Sequence, residues 1–155
     1  MPVLTVNRKA AFDYEILETF EAGIELLGFE VKSVRAGRMS LIGAFAIIRK
    51  NEGFLINAVI PPYQATNTPP NYDPSRSRRL LLHAGEIKKL VGLTAERHLT
   101  LLPLRVYTKG PRIKVELGLA RRKKKYDKRG LIREREDQRS IARAMRHGEG
   151  GDRPR

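Results

Sequence analysis

Between Arg112 and Ala120 the chain alternates strictly. Ile113, Val115, Leu117 and Leu119 fall on one side; Arg112, Lys114, Glu116, Gly118 and Ala120 fall on the other. A period of two is the signature of a strand with one face buried. The alternation ends at five consecutive cations, Arg121, Arg122, Lys123, Lys124 and Lys125. A block of like charge repels itself unless something anionic lies against it. A folded body is therefore expected over residues 1–120, followed by a basic C-terminal tail over 121–155 that stays disordered when free.

The charge balance says what kind of partner such a chain serves. Its 31 Lys and Arg against 17 Asp and Glu give a formal net charge of +14, and residues 121–155 alone hold 14 cations against 6 anions. A polyanion is the simplest reason to carry this excess, because each neutralised phosphate releases counterions. An anionic membrane surface is the rival, but no run of 18 apolar residues exists and no apolar segment follows the basic ones, so no membrane role is expected. The start MPVLTVNRKA lacks the apolar core of a signal peptide, and there is no cysteine for a disulfide, a thiolate metal site or a thiol nucleophile. A cytoplasmic protein, monomeric when free, is expected.

The remaining segments read as short strands with one central helix. In YEILETFEAGIELL (residues 14–27), Tyr14, Ile16, Glu18, Phe20, Ala22, Ile24 and Leu26 share a parity. A strand is preferred, since Gly23 would cost a helix interior about 1 kcal/mol and can mark a bulge. The i+4 recurrence of Ile16, Phe20 and Ile24 keeps a helix open. Residues 28–38 suit one or two helical turns with Gly37 as the stop. Leu41–Arg49 and Phe54–Ile60 read as a hairpin around a loop of about four residues, Lys50 to Gly53. The prolines between Pro61 and Ser77 rule out a central strand there. A helix is expected from near Gly85, with Ile87, Leu90, Val91, Thr94 and Ala95 on its apolar face. Leu99–Thr108 and Arg112–Ala120 form a last hairpin whose first strand is an edge or is bulged at Pro103. Leu131–Arg146 has helical composition but a thin apolar face, so it is expected to order only against a partner. The pattern predicts a mainly β fold, a small antiparallel β-barrel with peripheral helices; repeated strand–helix alternation, which a doubly wound fold needs, is missing.

Candidate functional residues follow from charge and chemistry. Arginine forks and flexible lysine ammonium groups in the 121–125 run suit phosphate oxygens without selecting sequence. Tyr126, beside that run, could stack on an exposed base; it could equally anchor the tail to the body. Arg76, Arg78 and Arg79 could line a second phosphate-binding loop, or be a solvated loop. Glu21 has the opposite sign: a carboxylate accepts from base or ribose donors while repelling backbone phosphate, which aids placement. The competing reading of Glu21 is an ordinary partner for a lysine or arginine. Catalysis has little support. His83, His98 and His147 have no metal-ligand spacing, and no phosphate-binding glycine motif is present. No cofactor, no metal and no catalytic residue are expected.

NRKAAFDYEILETFEAGIELLGFEVKSVRAGRMSL, DPSRSRRLLL, KVELGLARRKKKYDKR and IREREDQRSIARAMR together resemble the SsrA-binding protein family, also called small protein B, from Asn7 to Arg146. The resemblance implies a barrel related to the OB-fold and a flexible basic arm. It implies a non-enzymatic adaptor that binds the tRNA-like domain of transfer-messenger RNA and delivers it to stalled ribosomes for trans-translation and ribosome rescue. The family's carboxylate in the EAGI motif falls on Glu21, and its RNA-facing positions at the LLL motif fall on Leu81 and His83, where the family usually has asparagine. Asn7 matches the asparagine of the opening motif. The arm, which in the family enters the decoding region and becomes helical, corresponds to Arg121 through Lys125, Tyr126 and the DKR motif Asp127, Lys128 and Arg129. Many members have glycine where this chain has Arg122. The alternatives are a general ribosomal or structured-RNA-binding protein and an RNA-processing enzyme.

Overall fold

The computed structural model describes residues 2–123. In chain order these form β1 (Val3–Val6), α1 (Arg8–Asp13), β2 (Tyr14–Ile24), α2 (Gly28–Arg35), β3 (Phe45–Arg49), β4 (Glu52–Ile56), a 3-10 turn (Ala65–Asn67), β5 (Arg78–Leu81), α3 (Ala84–Arg97), β6 (Thr100–Lys109) and β7 (Arg112–Arg122). The seven strands make one antiparallel sheet in the order β1-β6-β3-β4-β5-β2-β7, and β6 pairs again with β7. The sheet thus closes into a barrel-like ring with the helices outside, the mainly β antiparallel fold read from the sequence.

The core is made by the inward parity of each strand. Phe20 and Ala22 from β2, Leu55 from β4, Leu80 from β5, Val106 from β6, and Val115, Leu117 and Leu119 from β7 meet in a single cluster, closed by Val34 of α2 and Leu90 of α3. Toward its end β7 is covered on both faces. Ala120 belongs to a second small cluster with Ala10 and Leu102, because α1 packs there. The strand therefore runs on to Arg122, two residues past the predicted limit at Ala120, and Arg121 and Arg122 are sheet residues paired with Glu15 and Tyr14.

Local differences from the sequence reading have physical causes. The β3–β4 loop has two residues rather than four, since Lys50 and Asn51 both take positive φ (51° and 62°) and let Arg49 pair with Glu52. The β2 bulge lies at Ile16/Glu18, not at Gly23. Pro103 does sit at a bulge of the β6–β7 ladder. Gly37 stops the chain just past α2 with φ of 76°. On α3 the core face is Leu90 with the partly buried Leu93, whereas Val91 is 44% exposed, so the apolar stripe is rotated from the predicted one.

Candidate nucleic-acid interface

Strand parity places one group of polar side chains on the outside of the ring. Across β2, β7 and β6, Glu21 stands opposite Glu116 and Glu116 opposite Arg105; one rung along, Gly23 stands opposite Lys114 and Lys114 opposite Tyr107. Two carboxylates directly across an antiparallel pair repel each other. Here each has its own donors. Arg105 holds Glu116 through Nε at 2.9 Å and Nη2 at 2.8 Å. Tyr107 donates its hydroxyl to Glu21 Oε2, and Lys109 Nζ reaches Glu21 Oε1 at 3.1 Å. The Arg105 guanidinium also lies 5.3 Å from the Tyr107 ring centre.

The chain Lys109–Glu21–Tyr107–Arg105–Glu116 fixes protonation states as well as positions. The Tyr107 hydrogen bond, then that of Lys109, lowers the Glu21 carboxyl below the usual carboxylate value. Tyr107 is pushed up to about 12, first by burial and then by its bond to Glu21. Glu21 is therefore a fixed anion whose side chain stays 36% exposed, with acceptor capacity facing solvent.

Beside it, β5 adds an apolar contact. Leu81 is paired with Gly23, and a Cβ on Gly23 would stand 3.2 Å from Leu81 Cβ. The missing side chain at Gly23 leaves room for Leu81 to lie close over β2 on the same outer face as Glu21, where it remains 49% exposed. Leu80, one residue earlier, points into the core. His83 is the exposed N-cap of α3, two residues past the end of β5, and its backbone N–H donates to Glu86 Oε1 at 3.2 Å. Arg79 shares the outer parity of Leu81 and is half exposed, near Glu52 at 3.3 Å and Glu25 at 3.7 Å.

Three sequence-predicted residues are elsewhere. Arg78 has the inward parity of β5 and is wholly buried, so of the expected phosphate-binding loop of Arg76, Arg78 and Arg79 only Arg76 and Arg79 reach solvent. Its Nε and Nη2 donate to Glu30 Oε2 at 2.9 and 2.6 Å, and its remaining N–H groups reach the carbonyls of Ala58, Arg76 and Pro74 and the hydroxyl of Tyr72. Arg76 is partly covered and binds the same carboxylate through Nη2 at 2.5 Å. Asn7 is also buried: its Nδ2 donates to the carbonyls of Pro103 (2.9 Å) and Leu41 (3.3 Å), and its Oδ1 accepts from the Ala10 amide that opens α1. Both corrections have one reason, a polar side chain whose hydrogen-bonding capacity is consumed by the barrel itself.

Glu30 was missed by the sequence reading. It lies three residues beyond the helix-preceding Leu27, whose amide it accepts at 2.8 Å, a capping spacing that could have marked it.

Of the basic run, Arg121 Nη2 bonds Glu15 Oε2 at 2.6 Å, and Arg122 lines a cleft of about 320 Å³ together with Lys9, Asp13 and Tyr14. Lys123 ends the described chain; Lys124, Lys125, Tyr126, Asp127, Lys128 and Arg129 lie outside the described residues. Among the described residues no helix is long and apolar enough to cross a membrane, and no cluster of three or more acidic or histidine side chains could hold a metal ion.

The family described as SmpB protein matches residues 4–147. The chain belongs to that family. It is 54% identical over 144 residues to the SsrA-binding protein of Thermosynechococcus vestitus, covering 93% of this chain and 95% of that protein. Identity is 52% to the SsrA-binding protein of Gloeothece citriformis, over 93% of this chain and 93% of that protein. A chain in a solved structure described as "tmRNA-SmpB: a journey to the center of the bacterial ribosome" is 48% identical. It superposes with a TM-score of 0.65 over 81% of this chain and 87% of that one.

Proposed function

We propose that this chain is a non-enzymatic, cytoplasmic RNA-binding adaptor. It binds the tRNA-like domain of transfer-messenger RNA and delivers it to stalled ribosomes for trans-translation. The observation that carries this reading is the near full-length identity to SsrA-binding proteins. The outer face gives the reading a physical form. Glu21, fixed as an anion by Tyr107 and Lys109, accepts hydrogen bonds from base or ribose donors. Leu81 offers an apolar surface to an unstacked base, and the His83 ring a donor or acceptor. Arg79 neutralises a nearby phosphate.

In this reading the protein performs no covalent step. The body selects a folded RNA by shape and by a few polar contacts. The run from Arg121 to Arg129 takes hold of small-subunit ribosomal RNA near the decoding site. Peptide synthesis then resumes on the ribosome's own chemistry.

The test is copurification. The full chain, washed at high salt, is expected to retain transfer-messenger RNA and to support tagging of a nascent peptide on a message without a stop codon. Equal retention of all structured RNAs, with no tagging, would instead make it a general RNA-binding protein. Cleavage of RNA by the purified chain would make it an enzyme.

A further inference from the structure

The exposed cations of the body are not equivalent. Those around the Glu21 face have carboxylate partners: Arg79 with Glu25 and Glu52, Lys89 with Glu18, Arg105 with Glu116, Lys109 with Glu21 and Arg121 with Glu15. Among the described residues Arg49, Lys50, Lys88 and Arg112 are also exposed and form no ion pair with a carboxylate, but helix α2 gathers three such cations along one stretch. Lys32, Arg35 and Arg38, spaced three apart along and just beyond it, are all exposed, and among the described residues none pairs with a carboxylate. The helix's own acidic residue, Glu30, is fully buried and engaged with Arg76 and Arg78.

Neutral groups hold the two arginines in place instead. Arg35 Nη2 donates to the Pro111 carbonyl at 2.9 Å, and Arg38 Nη1 reaches the Tyr63 carbonyl at 3.4 Å while its guanidinium stands 5.5 Å from the Tyr63 ring centre. A carbonyl or a ring face orients a guanidinium but leaves its full charge for an external anion, whereas an exposed carboxylate beside it offsets part of that charge.

The stripe is joined to the Glu21 face through one short turn, Lys109 to Arg112. Glu21 holds that turn by Lys109, and Arg35 holds it by the Pro111 carbonyl. Arg112, exposed at the same turn, adds a cation between the two.

We propose that Lys32, Arg35 and Arg38, with Arg112, form a second contact surface that binds the sugar–phosphate backbone of the same RNA that Glu21 reads. Glu21 and Leu81 place the RNA, and the α2 stripe supplies sequence-independent attraction where the strand continues around the β6–β7 turn. This rests on the reading that the RNA is transfer-messenger RNA. A ribosomal RNA contact at α2 is the competing outcome.

The experiment is filter binding of transfer-messenger RNA to the full chain across a salt series. K32Q/R35Q/R38Q is compared with wild type and with R49Q/K50Q/K88Q, which removes equal charge from other exposed positions. Because Arg35 also organises the turn, K32Q/R38Q and R35K are measured in parallel.

The triple variant is expected to flatten the slope of log Kd against log salt by about two to three, from about 0.7–0.9 per lost phosphate contact. K32Q/R38Q should flatten it by about 1.4–1.8 on the same basis, R35K should keep it, and the control should change it little. An unchanged slope in K32Q/R38Q, or an equal change in the control, would overturn the proposal. So would normal transfer-messenger RNA binding together with loss of ribosome association. A wild-type chain that does not prefer transfer-messenger RNA to ribosomal RNA of equal length would overturn the functional reading instead.

Discussion

Arg78 offers the most demanding test of how the barrel is held together. Replacement by methionine keeps the length of its stem and removes the guanidinium. Glu30 would keep the Arg76, Tyr72 and Leu27 donors but lose its two hydrogen bonds from Arg78, both to Oε2. The carbonyls of Ala58, Arg76 and Pro74 would lose a donor at 2.7–3.0 Å. Breaking a fully buried pair by removing one partner costs about 3–5 kcal/mol. Arg76 still compensates Glu30, while the interior carbonyls lose their donor, so roughly 3–5 kcal/mol is expected. For a domain whose total stability is about 5–15 kcal/mol this is a large loss, and it should lower the melting temperature by roughly 10–20 °C.

Urea unfolding followed by circular dichroism measures it. The decisive comparison is E30M/R78M. Removing both charges should cost clearly less than the two single changes added together, because neither ion is left alone. The reasoning fails if Arg78→Met costs under about 1 kcal/mol, the level of an exposed pair, or if the single and double variants are additive.

The same clasp sets an acid limit. Burial alone would raise the Glu30 carboxyl, but hydrogen bonds from Arg76, the Leu27 amide, Arg78 and Tyr72 override it and bring it down to about 2. A carboxyl depressed on folding contributes stability above its unfolded value near 4.5 and loses it as pH falls toward 2; roughly 3 kcal/mol should disappear in that window, and Glu30→Gln should flatten the urea midpoint against pH there. Glu21→Ala is expected to weaken binding of transfer-messenger RNA more than binding of unrelated RNA; equal losses in a competition assay would remove its assigned role. Gly23→Val should push Leu81 off the outer face, costing about 1–3 kcal/mol of stability and a larger share of RNA affinity than of folding, read by calorimetry of both. Charge-neutral replacement of Asp127, Lys128 and Arg129 should spare RNA binding and impair tagging on stalled ribosomes; intact tagging would refute the ribosomal role of that segment.

The barrel was legible because strand parity is written directly in the residues. Ile113 to Leu119 announced β7, and the prolines between Pro61 and Ser77 announced the irregular loop. The hairpin turn at Lys50-Asn51 was misjudged because its two residues tolerate positive φ without being glycine, which the letters do not advertise. Arg78 was misplaced for a deeper reason. Composition treats every arginine as surface charge, while its fate here depends on Glu30, 48 residues earlier, meeting it across the fold. Parity carried the missing clue, since Arg78 shares the side of the buried Leu80. Glu21 and Leu81 were named as candidates from the sequence and share the outer face, but Tyr107 and Lys109, which fix the charge and direction of Glu21, come from a strand 86–88 residues away and have no local signature.

That long-range wiring gives the buried ion pair a role beyond stability, which well-packed apolar residues can often supply in place of such a pair. Glu30 stands on α2, the helix that carries Lys32, Arg35 and Arg38; Arg78 begins β5, the strand that carries Arg79 and Leu81. The pair therefore locks the two outer surfaces to each other, and Tyr72 and Arg76 bind the intervening loop to the same carboxylate. A hydrophobic substitute would fill the space without fixing the angle between α2 and β5. Surfaces held rigidly before binding lose less entropy when they meet a folded RNA. E30M/R78M should accordingly recover much of the stability and little of the RNA affinity, and a double variant that regains both would show that the clasp serves folding alone.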